Sequence, residues 1–297
     1  MNNFEEIIND VKRRFNIEIN IEAYDFNLLE SRPLSYIYEF IGSDDKRYIL
    51  KISRSCRSCK DEFNTYSYLK NIGVRSLDPV IYSDKFNYLV TLKEDIVSFE
   101  KLIDEGFDLK ENYKKLADYL VELDKLSVYV EKFDYDYYSN YLLTRIKKIK
   151  SLKNKKKLNT EKKINKILTL LKNKNIYYSL YLDLGFSNIN ITPDGHIIVI
   201  DMGDAKFQPI ESKICSLCVI HKSLITKNFM FFHKKNFYLE IILNKYKNHN
   251  LNNRLIDIFN YIHSLNTIIY LEKDENNKSF MNKLINYIII KRIIALI

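Results

Sequence analysis

Hydrophobic and polar positions change their period several times along this chain. Phe4, Ile7, Ile8 and Val11 recur at helical spacing within the first twenty residues, which predicts an amphipathic helix. From Leu34 the texture becomes β-like. Leu34-Ser35-Tyr36-Ile37-Tyr38-Glu39-Phe40-Ile41 reads as a strand, and a Gly42-Ser43-Asp44-Asp45 turn leads to a second strand from Arg47 to Ile52. A helix containing Glu62, Phe63, Tyr66 and Leu69 follows, with Gly73 placed to end it. Two more strands are expected near Val80 to Tyr82 and Tyr88 to Leu92. Strand, strand, helix, strand, strand makes a small α+β unit of about ninety residues.

The pattern then turns helical. Asp108 and Glu111 are spaced like a capping box, and Leu109, Tyr113, Leu116, Leu120 and Leu123 mark one apolar face. The stretch 145–174 is helical by its Ile and Leu spacing. A β-rich island from Tyr177 to Ile200 interrupts, with Thr192-Pro193-Asp194-Gly195 as a hairpin turn. Helical spacing returns through Leu239, Ile242 and Leu243 and through Leu255, Ile258, Phe259 and Ile262. Six Gly and four Pro in 297 residues are too few for a long flexible linker.

Charge changes this picture less than its total suggests. The net +9 is concentrated between Arg145 and Lys174, where thirteen Lys or Arg face one acid, Glu161, so the rest of the chain is net negative by three. A lysine run on a predicted helix, without interleaved stacking aromatics or a recognition helix, reads as a solvated face rather than a nucleic-acid surface. Leu284 to Ile297 is the most apolar run, but Lys291 and Arg292 interrupt it and it is too short to span a bilayer. No basic start followed by an apolar core marks a secretory signal, so a cytoplasmic protein is expected.

The residues that can do chemistry lie in and around the β-rich island. Asp183, Asn188 five positions later and Asp201 eighteen after the first are spaced like the core of ATP-dependent phosphotransferases. A strand delivers Asp183, Asn188 opens the next strand, and a hairpin returns to Asp201, so one sheet edge gathers all three. Oxygen donors of this kind suit hard cations. No Walker-type glycine loop and no nucleophile elbow occurs, and His196, His221 and His263 lack ligand spacing.

The motif resembles H-G-D-x-x-x-x-N followed by I-D-[WF]-G-D-A of the aminoglycoside phosphotransferase and choline kinase-like superfamily. The matching positions here are Asp183, Asn188 and Ile200-Asp201-Met202-Gly203-Asp204-Ala205. Leu116 to Leu126 is similar to that family's L-A-x-x-L-x-x-L-H-x-L helix, and Tyr48-Ile49-Leu50-Lys51-Ile52 to its ATP-lysine strand. The resemblance implies a bilobal protein kinase-like fold. Its lobes would be a β-rich N-terminal lobe, 1–92, and a mainly helical C-terminal lobe, 93–297, with a hinge near 91–95. It further implies that Lys51 contacts the nucleotide phosphates, that Glu62 orients Lys51, and that Thr91, Leu92 and Lys93 line the adenine hinge. Asp183 would be the catalytic residue, with Asn188 and Asp201 as Mg²⁺ ligands. ATP or GTP would be the donor, and a small-molecule hydroxyl the acceptor, on an aminoglycoside-like compound or another sugar or amino alcohol. Glu240, Asp257, Glu272, Asp274 and Glu275 are the acids available to recognise a cationic acceptor. Three departures stand out. Tyr181-Leu182 replaces His-Gly, Asp124 replaces a His, and the loop Glu30 to Ser35 has no glycine. They leave a weakened, regulatory pseudokinase as the alternative.

All four cysteines occur as two C-x2-C pairs, Cys56 with Cys59 and Cys215 with Cys218. Two such pairs form a zinc pattern, although their separation far exceeds that of common zinc modules. A structural Zn²⁺ and a set of buried or free thiols are both open readings here.

Overall fold

The computed structural model describes residues 4–14, 27–32, 35–42, 44–54, 59–215, 235–246 and 251–273. In chain order the first elements are α1 (Phe4–Arg14), β1 (Asn27–Arg32), β2 (Ser35–Ile41), β3 (Arg47–Ser53), α2 (Cys59–Asn71), β4 (Pro79–Ser83) and β5 (Tyr88–Leu92). There follow β6 (Val97–Ser98), α3 (Phe99–Asp104), α4 (Lys110–Ser127), β7 (Tyr129–Lys132), α5 (Tyr135–Lys148), α6 (Asn154–Leu171) and β8 (Asn175–Tyr181). The hairpin strands β9 (Ile189–Ile191) and β10 (Ile197–Val199) precede β11 (Lys206–Pro209), α7 (Lys235–Tyr246) and α8 (Asn253–Lys273). The chain thus has a β-sheet N-terminal region and a helical C-terminal region, the α+β class expected from its sequence. It divides into two compact units, Met1–Leu126 with Leu182–Lys206, and Ser127–Tyr181 with Phe207–Ile297.

The first unit is built on an antiparallel sheet in the order β1-β2-β3-β5-β4. Strand periodicity gives it two faces. Phe40, Tyr48, Leu50, Ile52, Tyr88 and Val90 turn to one side and bury Ile7, Ile8 and Val11 of α1. The alternate positions Ile37, Ile49, Lys51, Leu89 and Thr91 line a cavity. A carboxylate anchors α1 to the sheet: buried Asp10 accepts a 2.8 Å hydrogen bond from the Tyr88 hydroxyl and pairs with Arg13 and Arg14. The segment Glu30 to Ser35, expected as a loop, is largely strand, with β1 running to Arg32 and Arg32 opposite Ser35 of β2; Pro33 and Leu34 lie outside the described residues. On α2, Glu62, Tyr66 and Leu69 are buried at helical spacing. That helix ends where Gly73 takes φ +79, a left-handed conformation open to glycine without cost. The same unit holds a small sheet, β10-β9-β6, whose hairpin turn lies at Thr192 to Gly195.

In the second unit β8 lies between β7 and β11. Its core joins Tyr138, Leu142 and Ile146 of α5, Ile164 and Leu168 of α6, and Leu255, Ile258, Phe259 and Ile262 of α8. The basic stretch is two helices rather than one, broken at 149–153, where buried Ile149 and Leu152 join the same core. Its lysines at 153, 155, 162, 163 and 166 are exposed, the solvated face expected. Among the described residues no helix is long and apolar enough to cross a membrane.

Candidate functional site

Lys51 projects from the cavity face of β3, and both of its carboxylate partners lie in the same unit. Its Nζ stands 2.6 Å from Oε2 of Glu62 on α2 and 2.7 Å from Oδ1 of Asp201. Burial alone would lower the ammonium's pKa, but the charges of Glu62 and Asp201 outweigh it and hold the group above its ordinary value. Glu62 is sequestered by a further contact, a 3.0 Å hydrogen bond donated to its Oε1 by the fully buried Tyr66 hydroxyl. Burial, and then the neighbouring Glu62 charge, push the Tyr66 phenol well above its usual pKa, so it remains a donor.

Asp201 owes its position to the hairpin. Val199 pairs with Ile189 as the last registered pair, and Ile200 N–H then donates to Asn188 C=O at 2.9 Å. The next residue, Asp201, adopts φ 60 and ψ 55 and opens the 3₁₀ turn Met202–Asp204. Left-handed backbone at a residue with a Cβ is uncommon, and in folded proteins it clusters at functional sites.

Asn188 is buried, and its Nδ2 donates to the Asp183 carbonyl at 3.3 Å. This directs Oδ1 away from that carbonyl, where Ser187 Oγ approaches at 3.4 Å. Asp183 is exposed. A Cβ added at Gly185 would meet Asn188 Nδ2 at 3.6 Å and Asp183 Oδ1 at 3.9 Å, so both side chains border the open space above that glycine. The expected site residues therefore form two linked groups. Lys51, Glu62, Thr91, Leu92, Lys93 and Asp201 all line one cavity of about 750 Å³. Asp183 and Asn188 do not line it; Asn188 joins Asp201 through the hairpin backbone.

That volume falls in the range of small-molecule and cofactor sites. Ile37, Ile49, Leu77, Leu89, Leu92 and Ile200 give it apolar lining. Among the described lining residues four carboxylates, Glu30, Glu62, Glu94 and Asp201, face two ammonium groups, Lys51 and Lys93, so that part of the lining is net negative. Lys93 is itself tied to Glu39 at 2.7 Å. An anionic polyphosphate entering such a cavity needs accompanying cations. Asp201 and Asn188 offer hard oxygens that suit Mg²⁺, an ion usually held by one or two protein oxygens together with substrate phosphates. No cluster of three or more His, Cys, Asp or Glu among the described residues makes an all-protein metal cage.

The two described cysteines, Cys59 and Cys215, do not support zinc. Cys59 begins α2, and its Sγ lies 3.2 Å from the Asn87 carbonyl. Burial, with the Glu62 charge, pushes the thiol up to about 12, so it stays protonated. Cys215 is buried in the core of the second unit, its Sγ 3.4 Å from the Ile256 carbonyl. Cys56 and Cys218 lie outside the described residues. Of the acids set aside for a cationic acceptor, Glu240 and Asp257 are exposed on α7 and α8, whereas Asp274 and Glu275 lie outside the described residues. Glu272 accepts from the backbone N–H groups of Lys150 and Ser151 at 2.9 and 2.8 Å, which is a structural use of that carboxylate. Two participants escaped sequence reasoning: Tyr66, whose one signal is its position four residues after Glu62 on a helix, and Glu39, the partner of Lys93.

Comparison with solved structures finds a similar fold in small-molecule kinases. One match is an amicoumacin kinase in complex with AMP-PNP, Ca²⁺ and Ami, at TM-score 0.63 and 15% identity over 97% of this chain and 93% of that one. A second is the choline kinase of Streptococcus pneumoniae, at TM-score 0.61 and 14% identity over 99% of both chains. A third, an AMP-bound spectinomycin phosphotransferase, gives TM-score 0.57 and 14% identity over 97% of this chain and 94% of that one. No protein-family model and no curated protein matches the sequence. The chain has the aminoglycoside phosphotransferase and choline kinase-like fold.

Proposed function

We propose that this protein is an ATP-dependent phosphotransferase that moves the γ-phosphoryl group to a hydroxyl of a small molecule. The observation that carries the reading is the paired arrangement at Lys51, whose ammonium meets Glu62 and Asp201 at 2.6 and 2.7 Å inside a ligand-sized cavity. In this reading Lys51 binds the nucleotide phosphates and Glu62 keeps its Nζ aimed into the cavity. Thr91, Leu92 and Lys93, at the end of β5, line the base-binding part, while the cavity's aliphatic side chains cover an aromatic ring. The nucleotide-complexed relatives favour this use of the cavity.

Asn188 Oδ1 and the Asp201 carboxylate would hold Mg²⁺, which when bound neutralises charge on the phosphate oxygens. Asp183 is the acceptor-side residue. Exposed beside Gly185, its carboxylate can accept the proton of an incoming hydroxyl and hold that oxygen in line with the phosphorus. The Asn188 contact to the Asp183 carbonyl fixes the backbone from which that carboxylate projects. Small-molecule acceptors fit better than protein ones, because the solved relatives act on compounds of that size.

The test is Asp183→Ala assayed with Mg-ATP against a panel of aminoglycosides, other sugars and amino alcohols. Transfer should fall by about a hundredfold or more while Mg²⁺-dependent nucleotide binding persists. Undiminished turnover in the variant would overturn the assignment of Asp183.

A further inference from the structure

We infer that Asn87 is a positioning residue of the phosphoryl-transfer site. It ties the end of β3 to the start of α2, and so brings Lys51 to Glu62. The inference rests on the function proposed above for that site. Lys51 lies two residues before Ser53, where β3 ends, and Glu62 lies one turn into α2, which begins at Cys59. Pairing them therefore requires the two element ends to be held together, and Asn87 touches both. Strands β3 and β5 run in register from Tyr48 opposite Leu92 to Ile52 opposite Tyr88. Asn87 takes that ladder one step further, its carbonyl accepting the Ser53 N–H at 2.9 Å. The same carbonyl receives the Cys59 thiol, with Sγ at 3.2 Å. Its side-chain Oδ1 accepts the Cys59 backbone N–H at 2.9 Å.

The helix end has a definite need for this contact. An α-helix leaves its first N–H groups without intrahelical acceptors, and that of Cys59 is one of them. An oxygen placed there also meets the positive end of the helix dipole. Cys59, Glu62 and Tyr66 follow one another at helical spacing and all line the cavity. Holding Cys59 therefore sets the direction in which that face of α2 points. Ser53 lines the cavity as well, whereas Asn87 does not, so Asn87 acts through the residues that it holds. Its backbone is left-handed, with φ 47. Asparagine tolerates that conformation, but glycine adopts it with less strain. A residue needed for the β4–β5 turn alone could thus be glycine. The Oδ1 contact to Cys59 is what glycine cannot make.

Asn87→Gly separates the two roles, since it suits the turn and removes the side-chain contact to α2. In the protein without nucleotide, amine-directed labelling of Lys51, read by mass spectrometry, should quicken about fivefold in this variant. In the turnover assay with Mg-ATP and the aminoglycoside, sugar and amino-alcohol panel, kcat/KM for nucleotide should fall about fivefold. Asn87→Asp keeps an oxygen for the Cys59 N–H and should return both values to those of the wild type. Lys85→Gly is the control, because it loosens the same turn at an exposed position. It should lower the melting temperature without moving either value. Unchanged Lys51 labelling in Asn87→Gly would overturn the role of Asn87. So would failure of Asn87→Asp to restore it, or the same signature in Lys85→Gly. If the wild-type protein transfers no phosphate, the proposed function fails, while the labelling experiment still decides whether Asn87 holds Lys51 to Glu62.

Discussion

At Lys51 one ammonium group answers two carboxylates, and its removal should be felt in both stability and binding. Lys51→Ala strands the buried Glu62 carboxylate, while Asp201, with a side chain 33% exposed, can turn to water. We expect a loss of about 1–3 kcal/mol in urea unfolding, below the figure for a fully buried pair because of that exposure. Calorimetric titration should show nucleotide affinity falling at least tenfold. Because the Lys51 pKa is raised in the folded state, its contribution is complete below the ordinary lysine range and is lost as alkaline pH passes the raised value. At this scale the sequence was legible where the fold brings expected residues together, as at Lys51, Glu62 and Asp201; Asp183 does not line their cavity. Tyr66 was hidden because a buried tyrosine four residues after a glutamate looks like any core aromatic on a helix. Its partner Glu62 meets Lys51, whose other carboxylate, Asp201, lies 150 positions further along the chain.

Among the elements, α1 shows how a short helix is held on a sheet. Its apolar face buries only Ile7, Ile8 and Val11, and Asp10 adds the directional contact to Tyr88. Burial alone would raise the Asp10 carboxyl, but the Tyr88, Arg13 and Arg14 contacts prevail and hold it below its ordinary value. The stabilisation is therefore present at neutral pH and is lost as acid carries the solution down through the lowered pKa. Asp10→Ala should destabilise the first unit by about 1–3 kcal/mol, with the loss largest at neutral pH and shrinking below pH 4. Equilibrium unfolding followed at several pH values checks this. Strands β2 to β5 and helix α2 were legible because alternation and helical spacing are strong where one face is buried. Strand β7 was not, since all four of its residues are exposed and carry no alternation. The break between α5 and α6 was equally silent, because Ile149 and Leu152 keep the apolar spacing through it.

For the molecule as a whole, the two units should respond differently to acid. In the second, His263 Nε2 lies 3.3 Å from the Ser212 carbonyl, so the neutral ring donates through that nitrogen. Burial lowers its pKa from 6.5 to about 4, against a smaller upward effect of the Ser212 contact. Between those values the unfolded chain binds a proton that the folded one refuses, so stability is full above pH 6.5 and falls as pH drops toward 4. The loss should be on the order of 1–3 kcal/mol for a ring still partly open to water, and His263→Gln should flatten it. Amide exchange resolved along the chain is the suitable measurement, and a flat wild-type profile in α8 between those pH values would contradict it. The division at 126, 182 and 206 also has a temporal side. A ribosome that has released Leu126 must add eighty more residues before Lys206 emerges, roughly 4–16 s at ordinary elongation rates. Until then the nascent first unit carries Lys51 and Glu62 without the turn that brings Asp201 to Lys51, so the proposed phosphate-binding centre can arise only late in translation.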